Sequence, residues 1–512
     1  MSRLHVAFLP LPAFGHINPT LPVVAELVRR GHRVTYATNS RFAPLVTAAG
    51  ATLLPYESPL ASRKLLHRID AEYMAHEPVR SIDEAIATVP IYEAGLGDDV
   101  PDVLLYDVST FAAGRVLARK WKRPAIEMFV TFASNEHYSL TQQIGAMFAG
   151  EIDGTHPAII DFFVKMGALL HEHGLADVTL EEFTAPADDA NLVFLPRRFQ
   201  PANETFDDRF AFVGACIGNR PDQPWSPPAP GRPVVLVSMG SFNYDNHGDL
   251  LRTCVDAFAG TRWHAVVAVG EGVDRDALGP VPENVELLTW VPQLAVLERA
   301  EVFVSHAGMN SAMEAMYFGT PVVALPHMPE QRIVAARLAE LGLGVDLSGQ
   351  PVTADRLRAA VDALAADDAV RAGVGALRDE LRAADGPPRA ADYIEARARR
   401  EPAAARRGHR PRRAPGAPVP GRPDGQPFTT QPRRYPAAIS RSRIFMICAP
   451  VRFGAVSISA SVISLLYSSA ERTSQSSSSS SGAGTAARRG AAGGSSSWIR
   501  AAFRPLCPSI TS

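Results

Sequence analysis

The stretch "EVFVSHAGMNSAMEAMYFGTPVVALPH", residues 301–327, reads as one strand–helix–strand unit. The apolar run Val302–Ser305 opens into "HAG". Helical spacing starts near Asn310 and Ser311, and a second apolar run, "PVVALPH", follows at 321–327. Short buried strands joined through a helix imply a parallel sheet, because parallel neighbours need a crossover connection. The alternation continues on the N-terminal side, as "PVVLVSMGS" (233–241), a helix over about 247–259, "WHAVVAVG" (263–270) and "VELLTWV" (285–291).

The first half of the chain repeats the pattern. "LHVAFLPL" (4–11) is followed by "PTLPVVAELVRRGH" (19–32), helical in spacing and stopped by Gly31, and then by "HRVTYAT" (32–38). A later unit is "DVLLYD" (102–107), "STFAAGRVLARKW" (109–121) and "PAIEMFV" (124–130); residues 60–95 and 135–190 are helical or irregular and less patterned. "CIGNRPDQPWSPPAPGRP" (216–233) is proline-rich and aperiodic, as a linker should be. The expected organisation is an α/β chain. One Rossmann-like domain covers 1–215, the linker covers 216–233, a second Rossmann-like domain covers 234–400, and a low-complexity tail covers 401–512.

Composition narrows the partners. The 512 residues are 46% hydrophobic and 20% charged, which suits a soluble chain of two or three domains. The net charge of −2 conceals a split: the tail has 16 arginines, no lysine and three acidic residues, a net +13, which leaves −15 on residues 1–400. An acidic body argues against a nucleic-acid partner. Cys216, Cys254, Cys448 and Cys507 show no metal or redox spacing, which reads as free thiols in a reducing, cytoplasmic compartment. The first apolar run is short, broken by prolines and without a cleavage site, unlike a signal peptide. No apolar run reaches the roughly 20 residues of a membrane span, so no integral membrane association is expected. The tail, with "SQSSSSSSGAGTAARRGAAGGSSS" at its centre, cannot bury enough apolar surface to order itself. Its loss of lysine and periodicity is that of a frameshifted or read-through end of a high-GC frame; a basic adhesive tail is the other reading.

Two loops carry chemistry. His16, in "PAFGHINP" (12–19), lies in the first strand-to-helix turn, at the sheet edge where open α/β folds bind ligands. The second loop is "HAGMNS". Backbone N–H groups at the start of its helix make an anion site, and Gly308 allows close approach. His306 and Ser311 can add donors to a diphosphate, Glu314 can accept from two ribose hydroxyls, and Trp290 offers a flat face to a base. Each has a plainer reading in isolation. Ser311 and Glu314 also spell an S-x-x-E capping box, Trp290 suits a core, and His306 suits a hydrogen-bonded loop.

Taken in order, Trp290-Val291-Pro292-Gln293, then His306, Gly308, Asn310, Ser311 and Glu314, then Glu330-Gln331, resemble the donor-binding signature of family 1 glycosyltransferases, in particular the bacterial macrolide branch. The resemblance covers roughly residues 1–397, including Gly15-His16-Ile17-Asn18-Pro19, and leaves out the tail. It implies the GT-B architecture, two Rossmann-like domains facing each other across a cleft, with acceptor on the first and nucleotide sugar on the second. By the match, Trp290 stacks on uracil, flanked by the Val291 backbone and Gln293. Glu314 holds the ribose. His306, Asn310 and Ser311 meet the diphosphate, with Ser238 and Ser241 on its other side. Glu330 and Gln331 bind sugar hydroxyls; many relatives have Asp where this chain has Glu330. His16 matches the general base, and its implied orienting partner is Asp107 at the end of "VLLYD", which also suits a helix N-cap. Of the rival carboxylates, Asp102 suits the start of a strand, and Asp98 and Asp99 a solvated turn. Phe14, Phe111 and Phe132, near strand ends, suit either an apolar acceptor pocket or the core.

The implied function is an inverting transfer of a hexose, glucose first, from a UDP-sugar to a hydroxyl of a hydrophobic natural product such as a macrolide or flavonoid. The UDP-sugar is a co-substrate, and the family needs no metal for the chemistry. A dTDP-deoxysugar transferase of antibiotic assembly and a non-catalytic nucleotide-sugar-binding protein are the alternatives. The lack of G-x-G-x-x-G after the first strand argues against a nicotinamide-dependent dehydrogenase. The sequence leaves the oligomeric state open. Truncation after about residue 400 is expected to leave activity intact; loss of folded, soluble protein would show that the tail matters. Peptides from 420–512 in mass spectra of the native protein would overturn the frameshift reading.

Overall fold

The structure is a computed structural model. It describes residues 3–399 apart from 63–68, 149–150, 153, 219–223, 229–230, 241–246, 272, 274 and 276–277. Ser241, part of the proline-rich linker and the tail therefore lie outside the described residues.

Thirteen described strands form two sheets. The first contains β1 (His5–Leu9), β2 (Arg33–Thr38), β3 (Thr52–Pro55), β4 (Val103–Asp107), β5 (Ala125–Phe129), β6 (Asn191–Val193) and β7 (Phe210–Phe212). The second contains β8 (Val234–Ser238), β9 (His264–Ala268), β10 (Val285–Leu288), β11 (Ala300–Ser305), β12 (Val322–Ala324) and β13 (Gly344–Asp346). Their orders are β3-β2-β1-β4-β5-β6-β7 and β10-β9-β8-β11-β12-β13, and every described pairing is parallel. This is a doubly wound Rossmann order repeated twice. The apolar runs of the sequence form nine of these strands, and β3, β6, β7 and β13 lie outside them. β1, β4 and β8 are buried at every position, as central strands covered on both faces should be.

Each order reverses once, between β1 and β4 and between β8 and β11. At those points neighbouring connections leave in opposite directions, so the strand ends border a crevice. One apolar core joins the domains: Phe129, Phe132, Val193 and Leu195 of the first share it with Leu236, Phe303, Met309 and Val322 of the second. Arg337, on the helix Pro329–Glu340, ties the seam by donating to the carbonyls of Arg198, Phe199 and Gln200.

The last described helix, Gly386–Ala398, lies in the stretch 234–400 expected to form the second domain, yet its apolar face packs on the first. Ala390, Ala391 and Ile394 are fully buried against Val24, Leu27 and Ile126. Polar contacts fix the register. Arg30 donates to Asp392 at 2.6 Å, to Glu395 at 3.1 Å and to the Pro388 carbonyl at 3.1 Å. His32 Nδ1 accepts the Leu4 N–H at 3.2 Å, so its Nε2 carries the proton and donates to Glu395 Oε1 at 3.1 Å. Burial opposes the Glu395 charge, but the hydrogen bonds of His32 and Arg30 and the charge of Arg30 prevail and hold its carboxyl below the ordinary range.

Replacing Glu395 with Ala leaves Arg30 and His32 short of a charged acceptor. It is expected to cost about 1.5–3 kcal/mol, read as a lower urea midpoint, while Asp392→Ala on the exposed side of the helix costs less. Equal effects would show that the buried acceptor is not what holds the helix.

Candidate active site

The first switch point carries His16. After β1 the chain makes a single helical turn, Phe14–Ile17, closed by the His16 N–H bonding to the Ala13 carbonyl at 2.9 Å and by Thr20 Oγ1 donating to the Ile17 carbonyl at 2.8 Å. The next connection, after β4, is held against β1 by Thr110 Oγ1 donating to the Leu9 carbonyl at 3.2 Å. Asp107 ends β4 fully buried. Its Oδ1 accepts the Ser109 N–H at 2.8 Å, and its Oδ2 lies 2.6 Å from His16 Nδ1. The cap and the dyad are thus one arrangement: the backbone fixes one oxygen and thereby aims the other.

That geometry sets the tautomer. A carboxylate oxygen accepts, so His16 carries its proton on Nδ1 and leaves Nε2 as a base. The side chain is 23% exposed, enough for a ligand to reach it. Burial disfavours the imidazolium, but the charge and hydrogen bond of Asp107 and the charge of Glu330 outweigh it, so the pKa lies above the ordinary 6.5. Asp102 Oδ2 instead accepts the His5 N–H at 2.8 Å, at the start of β1, and Asp99 pairs with Arg33 at the surface.

The second switch point is the loop between β11 and the helix Met309–Phe318. Gly308 is the N-cap, with no side-chain cap and no acidic residue in the first turn, so backbone N–H groups point outward. Ala307 sits at φ 60°, left-handed for a residue with a Cβ, a strain of about 1–3 kcal/mol. The loop accepts it in order to seat His306 between two glycines. A Cβ on Gly308 would lie 2.4 Å from His306 Nε2, and one on Gly240 2.8 Å from the same atom. Ser238 ends β8 next to this loop, paired in register with Ser305.

The capping-box reading of Ser311 and Glu314 does not hold, because the helix starts at Met309 and places both residues inside it. Glu314 is fully buried; its two oxygens accept from Asn310 Nδ2 and Gln293 Nε2, each at 2.6 Å. Gln293 also donates to Ser311 at 3.3 Å. Trp290 is 58% exposed, which rules out the core reading, while Val291 beside it is buried. Gln331 is 6% exposed, and its Oε1 accepts the His327 and Met328 N–H groups at 2.9 and 3.0 Å, so only its Nε2 can serve a ligand.

One contact between the domains was not legible in advance. Thr131, two residues past β5, donates to Glu330 Oε1 at 2.9 Å. Its position at the same sheet edge as Asp107 was the available signal. Burial pushes the Glu330 carboxyl above the ordinary 4.5, against the Thr131 bond and the His16 charge. The three phenylalanines separate. Phe132 is 1% exposed and stacked on Phe199 at 5.8 Å, so it is core rather than pocket wall, because the chain after β5 turns into the seam. Phe111 packs against Phe183 and Arg115. Phe14 meets Trp290 with ring centroids 5.0 Å apart. Among the described residues no helix is long and apolar enough to cross a membrane.

Comparison with known proteins agrees with this architecture. Residues 255–396 match the family model described as erythromycin biosynthesis protein CIII-like, C-terminal domain. The demethyllactenocin mycarosyltransferase of Streptomyces fradiae is 38% identical over 402 residues, covering 76% of this chain and 86% of that protein. The NDP-glycosyltransferase YjiC of Bacillus subtilis is 36% identical, covering 77% and 98%. The crystal structure of the calicheamicin glycosyltransferase CalG4 superposes with a TM-score of 0.68 at 38% identity, covering 78% and 98%. Two Rossmann-like domains, facing switch points and likeness to such enzymes over most of their length mean that the chain belongs to the family 1 glycosyltransferases, in their bacterial macrolide branch.

Proposed function

We propose that this glycosyltransferase moves a hexosyl group, glucose first, from a UDP-sugar to a hydroxyl of a hydrophobic natural product, with inversion at the anomeric carbon. The observation that carries the reading is the 2.6 Å contact between His16 Nδ1 and Asp107 Oδ2 at the edge facing the second domain. Nε2 takes the proton from the acceptor hydroxyl as its oxygen attacks the anomeric carbon. The bond from that carbon to the diphosphate oxygen breaks, its electron pair stays on the leaving diphosphate, and attack opposite the leaving group turns an α-linked donor into a β-glycoside. Asp107 keeps Nδ1 protonated and stabilises the imidazolium that forms.

The outward N–H groups of the helix Met309–Phe318, with its dipole behind them, suit the growing charge on the diphosphate. His306, Asn310, Ser311 and Ser238 are the residues assigned to that diphosphate. Trp290 is the platform for the base, and Glu314, already oriented by Gln293 and Asn310, accepts from the ribose hydroxyls. Glu330, with Gln331 Nε2, reads the sugar. Names of similar enzymes, such as a mycarosyltransferase acting on demethyllactenocin, support a natural-product acceptor. They support a deoxysugar donor equally well, so donor choice is tested directly. Incubation with UDP-glucose and a panel of macrolides and flavonoids should yield a product heavier by one hexosyl unit. Product from dTDP-sugars alone would overturn the UDP reading. UDP binding without product from any donor would favour a binding protein.

His16→Ala is expected to lower turnover by roughly 10²–10⁴-fold, the usual worth of a placed general base, with UDP affinity nearly unchanged. Wild-type-like turnover would refute the assignment. Because the neutral imidazole is the active form and its pKa is raised, kcat/KM should climb with pH through a midpoint above 6.5; a flat profile from pH 6 to 9 would contradict it. Gly308 has φ −62°, which Ala tolerates, so Gly308→Ala acts only through the new contact with His306. Overpacking of about 1–3 kcal/mol predicts a donor KM raised roughly 5- to 160-fold, with acceptor KM unchanged.

A further inference from the structure

The turn Phe14–Ile17 bears His16, yet it also touches the second domain at two places. The Phe14 ring lies against Trp290, centroids 5.0 Å apart and planes tilted 44°. The next residue, Gly15, is so close to the start of the helix Met309–Phe318 that an added Cβ would stand 4.0 Å from Asn310 Cβ. Phe14 is also anchored from behind. Phe42, 2% exposed in the first domain's core, meets it edge-on at 4.9 Å, and the Arg41 guanidinium lies 4.9 Å over its ring. The result is an aromatic chain from a buried end, Phe42, through Phe14 to an open end, Trp290, which is 58% exposed.

We propose that Phe14 is a positioning residue that couples a pyrimidine nucleotide on Trp290 to His16, rather than a wall of the acceptor pocket. An exposed indole has rotamer freedom until something covers it. A base stacked on Trp290 fixes the indole, the indole holds the Phe14 ring, and the ring holds the turn two residues from Nε2. Misplacement of a catalytic group by even 1 Å is costly, so the donor is read before the base is set. The inference rests on Trp290 being the nucleobase platform.

The test uses Phe14→Leu, Phe14→Tyr, Trp290→Leu and the Phe14→Leu/Trp290→Leu pair in the full-length protein. UDP affinity is measured by calorimetry, and KM for each substrate by steady-state kinetics. Phe14→Leu should weaken UDP binding and raise donor KM about 2–10-fold, the range an aromatic pair supplies. It should also lower kcat and leave acceptor KM alone. Phe14→Tyr should restore the donor parameters, and the double variant should bind UDP no more weakly than Trp290→Leu. In the wild-type protein, UDP alone should slow hydrogen exchange of the amides at 14–18. Unchanged donor parameters, an acceptor KM that rises instead, additive losses in the double variant, or unaltered exchange with UDP bound would each overturn the coupling. If Phe14→Leu does not fold, Phe14→Tyr and the exchange measurement decide. Undiminished UDP affinity in Trp290→Leu would refute the platform itself, and with it this inference.

Discussion

The arrangement depends on one short hydrogen bond. His16 and Asp107 are 91 residues apart in sequence, and their side chains meet at 2.6 Å because β1 and β4 are neighbours where the sheet order reverses. Nothing local in either segment could bring them together. The carboxylate is aimed by the Ser109 N–H, the turn carrying the imidazole is closed by Thr20, and Thr110 laces the two connections. Each contact is modest alone, about 1 kcal/mol net. Together they hold a buried charge against a histidine in one orientation, which a flexible loop could not do.

The second domain solves a complementary problem with the same topology. Its reversal between β8 and β11 presents a helix start without side-chain caps, so its N–H groups remain available to an anion. The accommodation is local strain at Ala307 and two glycines that leave room for one imidazole. A continuous apolar core, the Arg337 contacts and the Thr131–Glu330 bond bring the two edges together. The helix Gly386–Ala398 returns to the first domain and adds a second tie.

Much of this was legible in the sequence, for physical reasons. Central strands of a parallel sheet are apolar on both faces, so β1, β4, β8 and β11 announce themselves as unbroken runs. The loops that follow them must contain residues able to make tight turns and bind ligands, which is how His16, His306 and Gly308 stood out. Less was legible where the signal is short or distant. β6, β7 and β13 span three residues each, too few for a period to register. The helix Glu77–Leu96 carries Pro90, which breaks its pattern. The return of the last helix depends on Arg30 and His32 finding Glu395, a pairing invisible along the chain. Ser311 and Glu314 match a capping motif, and only the helix start at Met309 excludes it. Phe132 and Phe14 looked alike as aromatic residues near strand ends; one is core and the other reaches across the cleft.

The basicity that Asp107 confers on His16 is read most directly by a titration of His16 by nuclear magnetic resonance. The ring nitrogens and carbon-bound protons of His16 would be followed in the wild-type protein and in Asp107→Asn. The His16–Asp107 geometry predicts a neutral form protonated on Nδ1, a pKa above 6.5 in the wild type, and a fall of that pKa when the carboxylate is removed. A pKa at or below 6.5, or one indifferent to Asp107→Asn, would contradict it.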